Sequence, residues 1–404
     1  MTYDFTSIIN RHGKDSIAVD LPDSFSPYKK GVQLKDGFDL IPMWVADMNF
    51  AAAPSIQEAM TERIKHPTFG YFEPRPEYYE KIMDWQKRRN GVTDLKPEYI
   101  GFENGVLGGV SSALRALCQP GESVLLHSPT YVGFTSVLNS CGYHAVHSPL
   151  KKDVDGTWRM DFADMEKKIT ENHIHTTIFC SPHNPCGRVW ERWEIEQAME
   201  LFKKHRVTVI SDEIWSDLIL GGNKHIPTQT VSSDAADRTI AMYATTKTFS
   251  LAGLEGSYHI IRNPELRDKV CKAGENTHYN SLNLLSMYAL LGAYTDEGEE
   301  WLNQLLPILD GNVSYACDFI KSHWKGVSFS RPQGTYMLFI DCAEWCRAHN
   351  MSLPQLLNAG YEVGVVWQNG EAFFGPYCIR MNLALPLARV KEAFDRLDQY
   401  VFGK

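Results

Sequence analysis

The sequence predicts an α/β protein in which most of the chain forms a mostly parallel β-sheet with crossover helices. Two observations lead to this prediction. The middle of the chain alternates short apolar runs with amphipathic helical patterns, and the apolar runs are continuous instead of alternating with polar residues. Strands of this kind are buried on both faces, as in parallel sheets covered by helices. From about Trp301 the pattern changes to helices and shorter strands, which predicts a smaller α+β domain.

The individual elements follow from the same patterns. Strands of the large sheet are predicted at Ser123–His127, Thr176–Cys180, Val207–Ser211 and Thr239–Ala244. Crossover helices are predicted at Ser111–Cys118, after a glycine-rich turn, and at Arg192–Lys204. The tail predicts strands at Val327–Ser330 and Tyr336–Ile340 and a final helix at Leu387–Val401. We predict a large domain over residues 45–295, with residues 1–44 and 296–404 in the small α+β domain.

Composition and charge exclude several classes of protein. The 404 residues are 44% hydrophobic, enough for a packed core, and the net charge of −9 repels nucleic acid and anionic membranes. The uncharged stretch between Glu275 and Asp296 is too polar for a membrane span and predicts a core-packed helix. Nine scattered cysteines without a CxxC pair, and no visible signal peptide, predict a cytoplasmic location.

One histidine pair, His173-x-His175, has a spacing that could ligate a metal ion. The pair belongs to no zinc motif, so a surface turn is the favoured interpretation. We therefore expect no metal site.

Polar side chains follow three of the predicted strands. Asn184 comes after Thr176–Cys180, Asp212 directly follows Val207–Ser211, and Lys247 comes after Thr239–Ala244. Because ligands of open parallel sheets bind outside the carboxyl ends of the strands, these groups are expected to converge on one edge.

Lys247 is the only charged residue between Arg238 and Glu255, so we expect apolar surroundings that lower its pKa and make the amine nucleophilic. Taken alone, a lysine at a strand end is more often structural, and Asp212 alone could cap a helix. Together with Asn184, the set fits pyridoxal phosphate (PLP). The lysine would bind its aldehyde, the aspartate would keep the pyridine nitrogen protonated, and the asparagine would donate to the ring oxygen.

A phosphate cradle is predicted at the glycine-rich segment Asn104–Gly109, because the following helix offers free N–H groups to an anion. Thr246 would add a hydroxyl donor. Tyr131 would stack on the cofactor ring, although a packing role for this tyrosine stays open.

Three motifs resemble the class I/II PLP-dependent aminotransferases of fold type I: Asn184-Pro185-x-Gly187-Arg188, Asp212-Glu213-Ile214 and Thr246-Lys247-Thr248-Phe249-x-Leu251-Ala252-Gly253-Leu254. Further runs are similar to the MalY/PatB branch of this family, among them Pro42-Met43-Trp44-Val45-Ala46-Asp47-Met48-Asn49-Phe50, Phe69-Gly70-Tyr71 and Arg380-x-Asn382-x-Ala384. That branch is known for cystathionine β-lyase and cysteine-conjugate C–S lyase activity.

The resemblance implies a role for each site residue in a PLP-binding homodimer. The cofactor would be held by Lys247, Asp212, Asn184, Tyr131, Thr246 and the backbone at Val106 and Leu107, with the partner subunit's Tyr71 on the phosphate. Lys247 would also move protons, and Tyr131 and Asp212 would complete the catalytic set. The substrate, a small molecule of the amino-acid class, would contact Arg380 through its carboxylate and be bordered by Trp44, Asp47 and Asn184.

Three positions depart from the family pattern. Ala244 replaces a serine and Glu255 replaces an arginine that bind phosphate in many relatives, and the approach to Arg380 over residues 374–380 is short. Since a carboxylate facing a phosphate is unfavourable, we expect Glu255 to point away, or the cradle to depend on Thr246, Tyr71 and the helix.

The resemblance predicts α,β-elimination from a cysteine S-conjugate such as cystathionine, which yields a thiol, pyruvate and ammonia. Two alternatives stay open. An aminotransferase acting on an L-amino acid and a 2-oxo acid would use the same catalytic residues, and a PLP-binding regulatory protein would act through contact with a partner.

Overall fold

The computed structural model describes residues 2–277, 279 and 281–403. Its strands are β1 (Ile41–Pro42), β2 (Ile100–Asn104), β3 (Ser123–Ser128), β4 (His144–Pro149), β5 (Lys151–Lys152), β6 (Trp158–Arg159), β7 (Thr176–Cys180), β8 (Thr208–Asp212), β9 (Thr239–Ala244), β10 (Gly256–Ile261), β11 (Ser328–Phe329), β12 (Met337–Asp341), β13 (Val365–Val366), β14 (Gln368–Asn369) and β15 (Cys378–Asn382).

The α-helices are α1 (Pro54–Ile64), α2 (Pro76–Asn90), α3 (Val106–Leu117), α4 (Val132–Ser140), α5 (Phe162–Glu171), α6 (Arg192–Lys204), α7 (Ser233–Arg238), α8 (Thr245–Thr248), α9 (Pro264–Thr277), α10 (Leu284–Ala293), α11 (Asp296–His323), α12 (Ala343–Ala348), α13 (Leu353–Glu362) and α14 (Leu387–Leu397). None of the helices in the described part of the chain combines the length and apolar character needed to cross a membrane.

The largest sheet has seven strands in the order β2-β10-β9-β8-β7-β3-β4. Strand β10 is antiparallel to both of its neighbours, and the remaining neighbouring pairs are parallel. The predicted mostly parallel sheet is therefore confirmed. Strands β7 and β9 and helix α6 have the predicted bounds, while β3 extends one residue further and β8 is shifted by one residue toward the C-terminus.

Both faces of this sheet are covered, which explains why its strands are continuously apolar. Leu125 of β3 packs in a cluster with Phe202 of α6. Its neighbours Val124 and Leu126 point to the opposite face and pack with Val110 of α3. Successive side chains of a strand face opposite sides, so a strand covered on both sides favours apolar and β-branched residues at consecutive positions.

Helix α3 begins at Val106 and not at Ser111, so the predicted glycine-rich turn over residues 104–109 was wrong in extent. The turn is limited to Gly105, whose φ is 76°. Gly109 lies inside the helix, at a position where a Cβ atom would meet the side chains of Glu103 and Met242 at 2.9 Å. The glycine therefore permits close packing of the helix on the sheet.

The tail contains the second sheet, which is antiparallel with the order β11-β12-β15-β14. Both predicted tail strands are present with bounds that differ by one residue at each end, and the final helix ends at Leu397 before a π-helix at Asp398–Phe402. The uncharged stretch after Glu275 contains the buried helix α10, while His278 and Asn280 lie outside the described residues. The domain boundaries at residues 44/45 and 295/296 stay a prediction.

Candidate active site

A cavity of about 380 Å³ lies at the carboxyl ends of β7, β8 and β9. Seven of the predicted site residues line it together: Val106, Leu107, Tyr131, Asn184, Asp212, Thr246 and Lys247. A second cavity of about 420 Å³ is lined by Arg188 and Arg331 and contains none of the predicted site residues. The convergence expected at one sheet edge is therefore present in the first cavity.

Lys247 is the third residue of the short helix α8, directly after β9. Its Nζ donates a hydrogen bond to the carbonyl oxygen of Ala46 at 2.9 Å and lies 5.9 Å from the ring centroid of Trp215. Burial lowers the pKa of Lys247 to about 8, helped by the positive charge of Arg380 and opposed by Asp47 and Asp212. The neutral, nucleophilic amine is therefore readily accessible near neutral pH.

Asp212 is the last residue of β8 and is 4% exposed. One of its carboxylate oxygens accepts a hydrogen bond from the amide of Ile214 at 3.1 Å. Burial raises the pKa of Asp212 to about 7, against the opposing effects of that hydrogen bond and of Lys247. A cation placed in the cavity beside this carboxylate would keep it ionised, and the protonated pyridine nitrogen of PLP is such a cation. The residues present fit PLP in this respect.

Glu213, the next residue, belongs to a separate buried network. Its carboxylate accepts hydrogen bonds from the hydroxyl of Tyr243 at 2.6 Å and from the amide of Thr228 at 3.0 Å, and it pairs with Nε2 of His225 at 2.8 Å. Ser211 also donates to it at 2.9 Å. Burial alone would raise the pKa of Glu213, but these partners lower it below its ordinary value.

Arg380 lies in the middle of β15 and is 3% exposed. Its guanidinium donates to Asn184 Oδ1 at 3.1 Å, to the carbonyl oxygen of Trp44 at 3.2 Å and to Gln368 Oε1 at 2.5 Å. Burial lowers its pKa to about 10. Among the described residues Nε has no hydrogen-bond partner, although it is buried. An unpartnered buried N–H is costly, so a carboxylate that reached this group would gain a strong hydrogen bond.

The segment from Trp44 to Asp47, expected to border the substrate, lies beside Lys247 through the carbonyl oxygen of Ala46. The side chain of Trp44 points elsewhere. That indole stacks on Phe25 with ring centroids 3.7 Å apart and donates to the carbonyl oxygen of Ala18. Only the carbonyl oxygen of Trp44 contacts Arg380. Asp47 forms an ion pair with Arg11 at 2.5 Å. Its negative charge partly offsets the lowering of the Lys247 pKa by burial. Sequence reasoning assigned no role to Arg11.

The predicted phosphate cradle is at the start of α3. Val106 and Leu107, the first residues of the helix, line the cavity together with Thr246. Tyr131 is also part of the wall, and burial raises the pKa of its hydroxyl. The side chain of Tyr71 is fully exposed on the surface of the chain and does not line the cavity.

Two further residues occupy the cradle side of the cavity. Glu255 forms part of its wall, where its carbonyl oxygen accepts a hydrogen bond from the amide of Gly105 at 2.6 Å. The expected direction of its carboxylate stays a prediction. Tyr279 was missed by sequence reasoning: its hydroxyl donates to the carbonyl oxygen of Asn104, whose side chain in turn donates to the carbonyl oxygen of Tyr279 at 2.7 Å. Its ring lies over Gly108, where a Cβ atom would meet it at 1.7 Å. No motif surrounds Tyr279, so the sequence contained no signal for it.

Comparison with known proteins supplies the family. Residues 39–397 match the model of the family described as aminotransferase class I and II. The chain belongs to this family. Cystathionine beta-lyase PatB of Bacillus subtilis is 34% identical over 89% of this chain and 92% of the relative, and protein MalY of Escherichia coli is 30% identical over 96% of both chains. The predicted resemblance to the MalY/PatB branch is confirmed.

Solved structures of the family agree with the fold. The PLP-bound C–S lyase from Staphylococcus hominis has a TM-score of 0.89 at 30% identity, covering 99% of this chain and 98% of that one. Cystalysin from Treponema denticola, whose structure contains pyridoxal 5'-phosphate, has a TM-score of 0.90 at 29% identity over 99% of both chains. The predicted fold type I is therefore confirmed.

Proposed function

We propose that this chain is a PLP-dependent carbon–sulfur β-lyase that cleaves cystathionine or other cysteine S-conjugates to a thiol, pyruvate and ammonia. The observation that carries the proposal is the cavity lined by a buried amine and a buried carboxylate of raised pKa, beside which Arg380, with an unpartnered N–H, donates to the lining residue Asn184. The names of PatB and of the Staphylococcus hominis enzyme favour elimination over amino-group transfer.

When bound, PLP supplies an aldehyde that captures amines and a ring that takes up the electron pair of a cleaved C–H bond. Asp212 would hold the pyridine nitrogen and Asn184 the ring oxygen. Tyr131 would stack on the ring. Three residues would hold the phosphate: Val106 and Leu107 through the start of α3, and Thr246 through its hydroxyl.

The protein groups then divide the work on the substrate. Arg380 binds the α-carboxylate and so turns the Cα–H bond toward Lys247. Lys247 removes the α-proton as a neutral amine, which its pKa of about 8 makes available. The thiolate leaves from the β-carbon and takes up a proton. Hydrolysis of the remaining three-carbon fragment consumes one water and releases pyruvate and ammonia.

We also propose a homodimer in the cytoplasm. Phe69 and Tyr71 expose large apolar side chains on an irregular segment between α1 and α2, as expected of an interface residue pair. The partner subunit's Tyr71 would reach the phosphate. A reducing compartment suits the nine cysteines, all of which are free thiols.

The proposal is tested by incubating purified, PLP-loaded enzyme with cystathionine and a panel of S-substituted cysteines. We expect equal amounts of pyruvate and thiol without any added 2-oxo acid. Lys247→Ala should abolish both products, because it removes the group that moves the α-proton. Turnover that requires a 2-oxo acid acceptor would identify an aminotransferase, and a partner-dependent effect that survives Lys247→Ala would identify a regulatory protein.

A further inference from the structure

The amino-terminal edge of the seven-stranded sheet, opposite the cavity, contains a second group of reactive side chains. Cys118 directly follows α3, Glu122 directly precedes β3, and His175 directly precedes β7. Because β3 and β7 are parallel neighbours, with Leu125 opposite Thr177, the residues that precede them lie at the same edge of the sheet. The sulfur, one carboxylate oxygen and one imidazole nitrogen all lie within 4.8 Å of one another.

We propose that Cys118, Glu122 and His175 bind one zinc ion, with a water molecule as the fourth ligand. In the structure, Nε2 of His175 lies 3.0 Å from Oε2 of Glu122. Zinc bonds of about 2.0–2.3 Å in a tetrahedron separate two ligand atoms by roughly 3.3–3.8 Å. The three donor atoms therefore need shifts of only about 1 Å to reach this geometry.

The donor types select the metal. Calcium and magnesium take oxygen ligands, whereas zinc accepts thiolate, imidazole and carboxylate together. The ring of His175 is also oriented for this role, because its Nδ1 contacts the hydroxyl of Thr176 at 3.2 Å and leaves Nε2 facing the other donors. Such a contact on the far nitrogen is typical of histidine ligands.

The three proposed ligands differ in solvent exposure in a way that permits an ion to enter. The sulfur-bearing residue Cys118 is 3% exposed, while the side chains of Glu122 and His175 are 38% and 42% exposed. An ion can therefore approach from solvent through the two outer ligands and reach a shielded thiol. Without a metal, the exposed Glu122–His175 pair would stabilise the fold very little.

His173 does lie in a surface turn, as the sequence indicated: it is exposed, with φ of 51°. Because of this turn, His175 lies next to Cys118 and Glu122, whereas His173 does not belong to that group. Cys118 and Glu122 belong to a distant part of the chain, so residue spacing did not show them as partners. His173 is thus a natural control for the proposed ligand.

The proposed site is separate from the cavity. Helix α3 runs from Val106, in the cavity wall, to Leu117, next to Cys118. At 1.5 Å per residue, its 12 residues span about 18 Å. Zinc bound here has no part in the proposed elimination, so the two proposals fail independently.

The test uses the PLP-loaded enzyme, freed of metal by a chelator and titrated with Co²⁺ as the probe. We expect about one cobalt ion per chain, a sulfur-to-cobalt charge-transfer band in the near ultraviolet, and loss of that band when Zn²⁺ is added. Cys118→Ala should abolish the band, and His175→Gln should weaken cobalt binding at least about tenfold.

Two variants serve as matched controls. His173→Gln removes the other histidine of the His173-x-His175 pair. Cys141→Ala removes a half-buried thiol that follows α4 and lies near Ser111 of α3. Both should keep the band and the affinity. All four variants should retain lyase activity and their melting temperature without metal, which checks folding. The proposal is overturned if no band forms, or if the band persists in Cys118→Ala or depends on Cys141.

Discussion

Asp212 and Glu213 are consecutive carboxylates, both buried at the end of β8, and their pKa values move in opposite directions. Asp212 lines the cavity, and burial raises its pKa to about 7. Glu213 is more deeply buried, yet its pKa falls below the ordinary value because His225, Tyr243 and Thr228 donate to it. The number of hydrogen-bond donors to each carboxylate, and not its degree of burial, decides whether the ionised or the protonated form is favoured.

The difference separates a structural carboxylate from one suited to bind a ligand. The partners of Glu213 satisfy its charge within the protein, so nothing further is needed there. Asp212 lacks comparable partners and gains most from a cation that arrives in the cavity. The same distinction applies to Arg380, whose buried Nε has no partner among the described residues.

The largest expected effect concerns activity. Asp212→Asn should lower kcat/KM for elimination by about 10³-fold, or about 4 kcal/mol in the barrier, since the neutral amide cannot hold a protonated pyridine nitrogen. Glu213→Gln should lower it by less than about tenfold. The measurement is pyruvate release at saturating PLP. Equal losses in the two variants would contradict the distinction.

In the protein without cofactor, the two substitutions should rank in the opposite order for stability: Glu213→Gln should lower the free energy of unfolding, whereas Asp212→Asn should raise it. Glu213→Gln should lose about 3 kcal/mol of unfolding free energy, because it breaks a buried pair with His225. Asp212→Asn should gain about 4 kcal/mol at pH 8, because burial raises the pKa of Asp212 from 3.8 to about 7 and a pKa difference of one corresponds to about 1.4 kcal/mol.

The pH dependence of these differences provides the check. The pKa of Asp212 is raised from 3.8 to about 7, so its favourable contribution is complete below pH 3.8 and lost as pH rises through 7. The gain in Asp212→Asn should therefore vanish near pH 4. Glu213, whose pKa is lowered, stabilises above its ordinary pKa of 4.5 and loses this contribution at lower pH. Urea unfolding at both pH values measures each variant, and a Glu213→Gln variant as stable as the parent at pH 8 would argue against the network.

The smallest effect is expected at a third carboxylate, Glu255, which is exposed at the cradle side of the cavity. Glu255→Gln should tighten PLP binding by about threefold, since exposed charge interactions are worth at most about 1 kcal/mol. Salt should reduce the gain by screening. Glu265→Gln, an exposed change in the first turn of α9, is the control. A PLP dissociation constant that is unchanged at low salt would mean that Glu255 does not face the phosphate.

Much of the sheet and of the cavity could be predicted from the sequence. Strands β7 and β9 were placed correctly because burial on both faces gives an unambiguous apolar run. The lowered pKa of Lys247 followed from its isolation among uncharged residues. Such features depend on local composition, which the sequence displays directly.

Other features depend on contacts between distant segments and could not be predicted. Tyr279 reaches the cradle because the fold places its side chain against Gly108. Arg11 pairs with Asp47, a residue 36 positions further along the chain, and also donates to the carbonyl oxygen of Met48. In each case the residue types carry no spacing signal, and only the fold brings the partners together.

Asp212 ends β8, and Asn184 and Lys247 follow the adjacent strands β7 and β9. Backbone hydrogen bonds continue past the strand ends, from the amide of Ser181 to the carbonyl oxygen of Asp212 and from the amide of Glu213 to that of Met242. Neighbouring strands lie about 4.8 Å apart, so the sheet fixes the spacing of the three strand ends at which these groups or their segments begin. Specificity could accordingly be re-engineered by exchanging the segment over residues 374–377, which precedes β15 and leaves Arg380 in place, for a longer one, while the cofactor contacts stay in register.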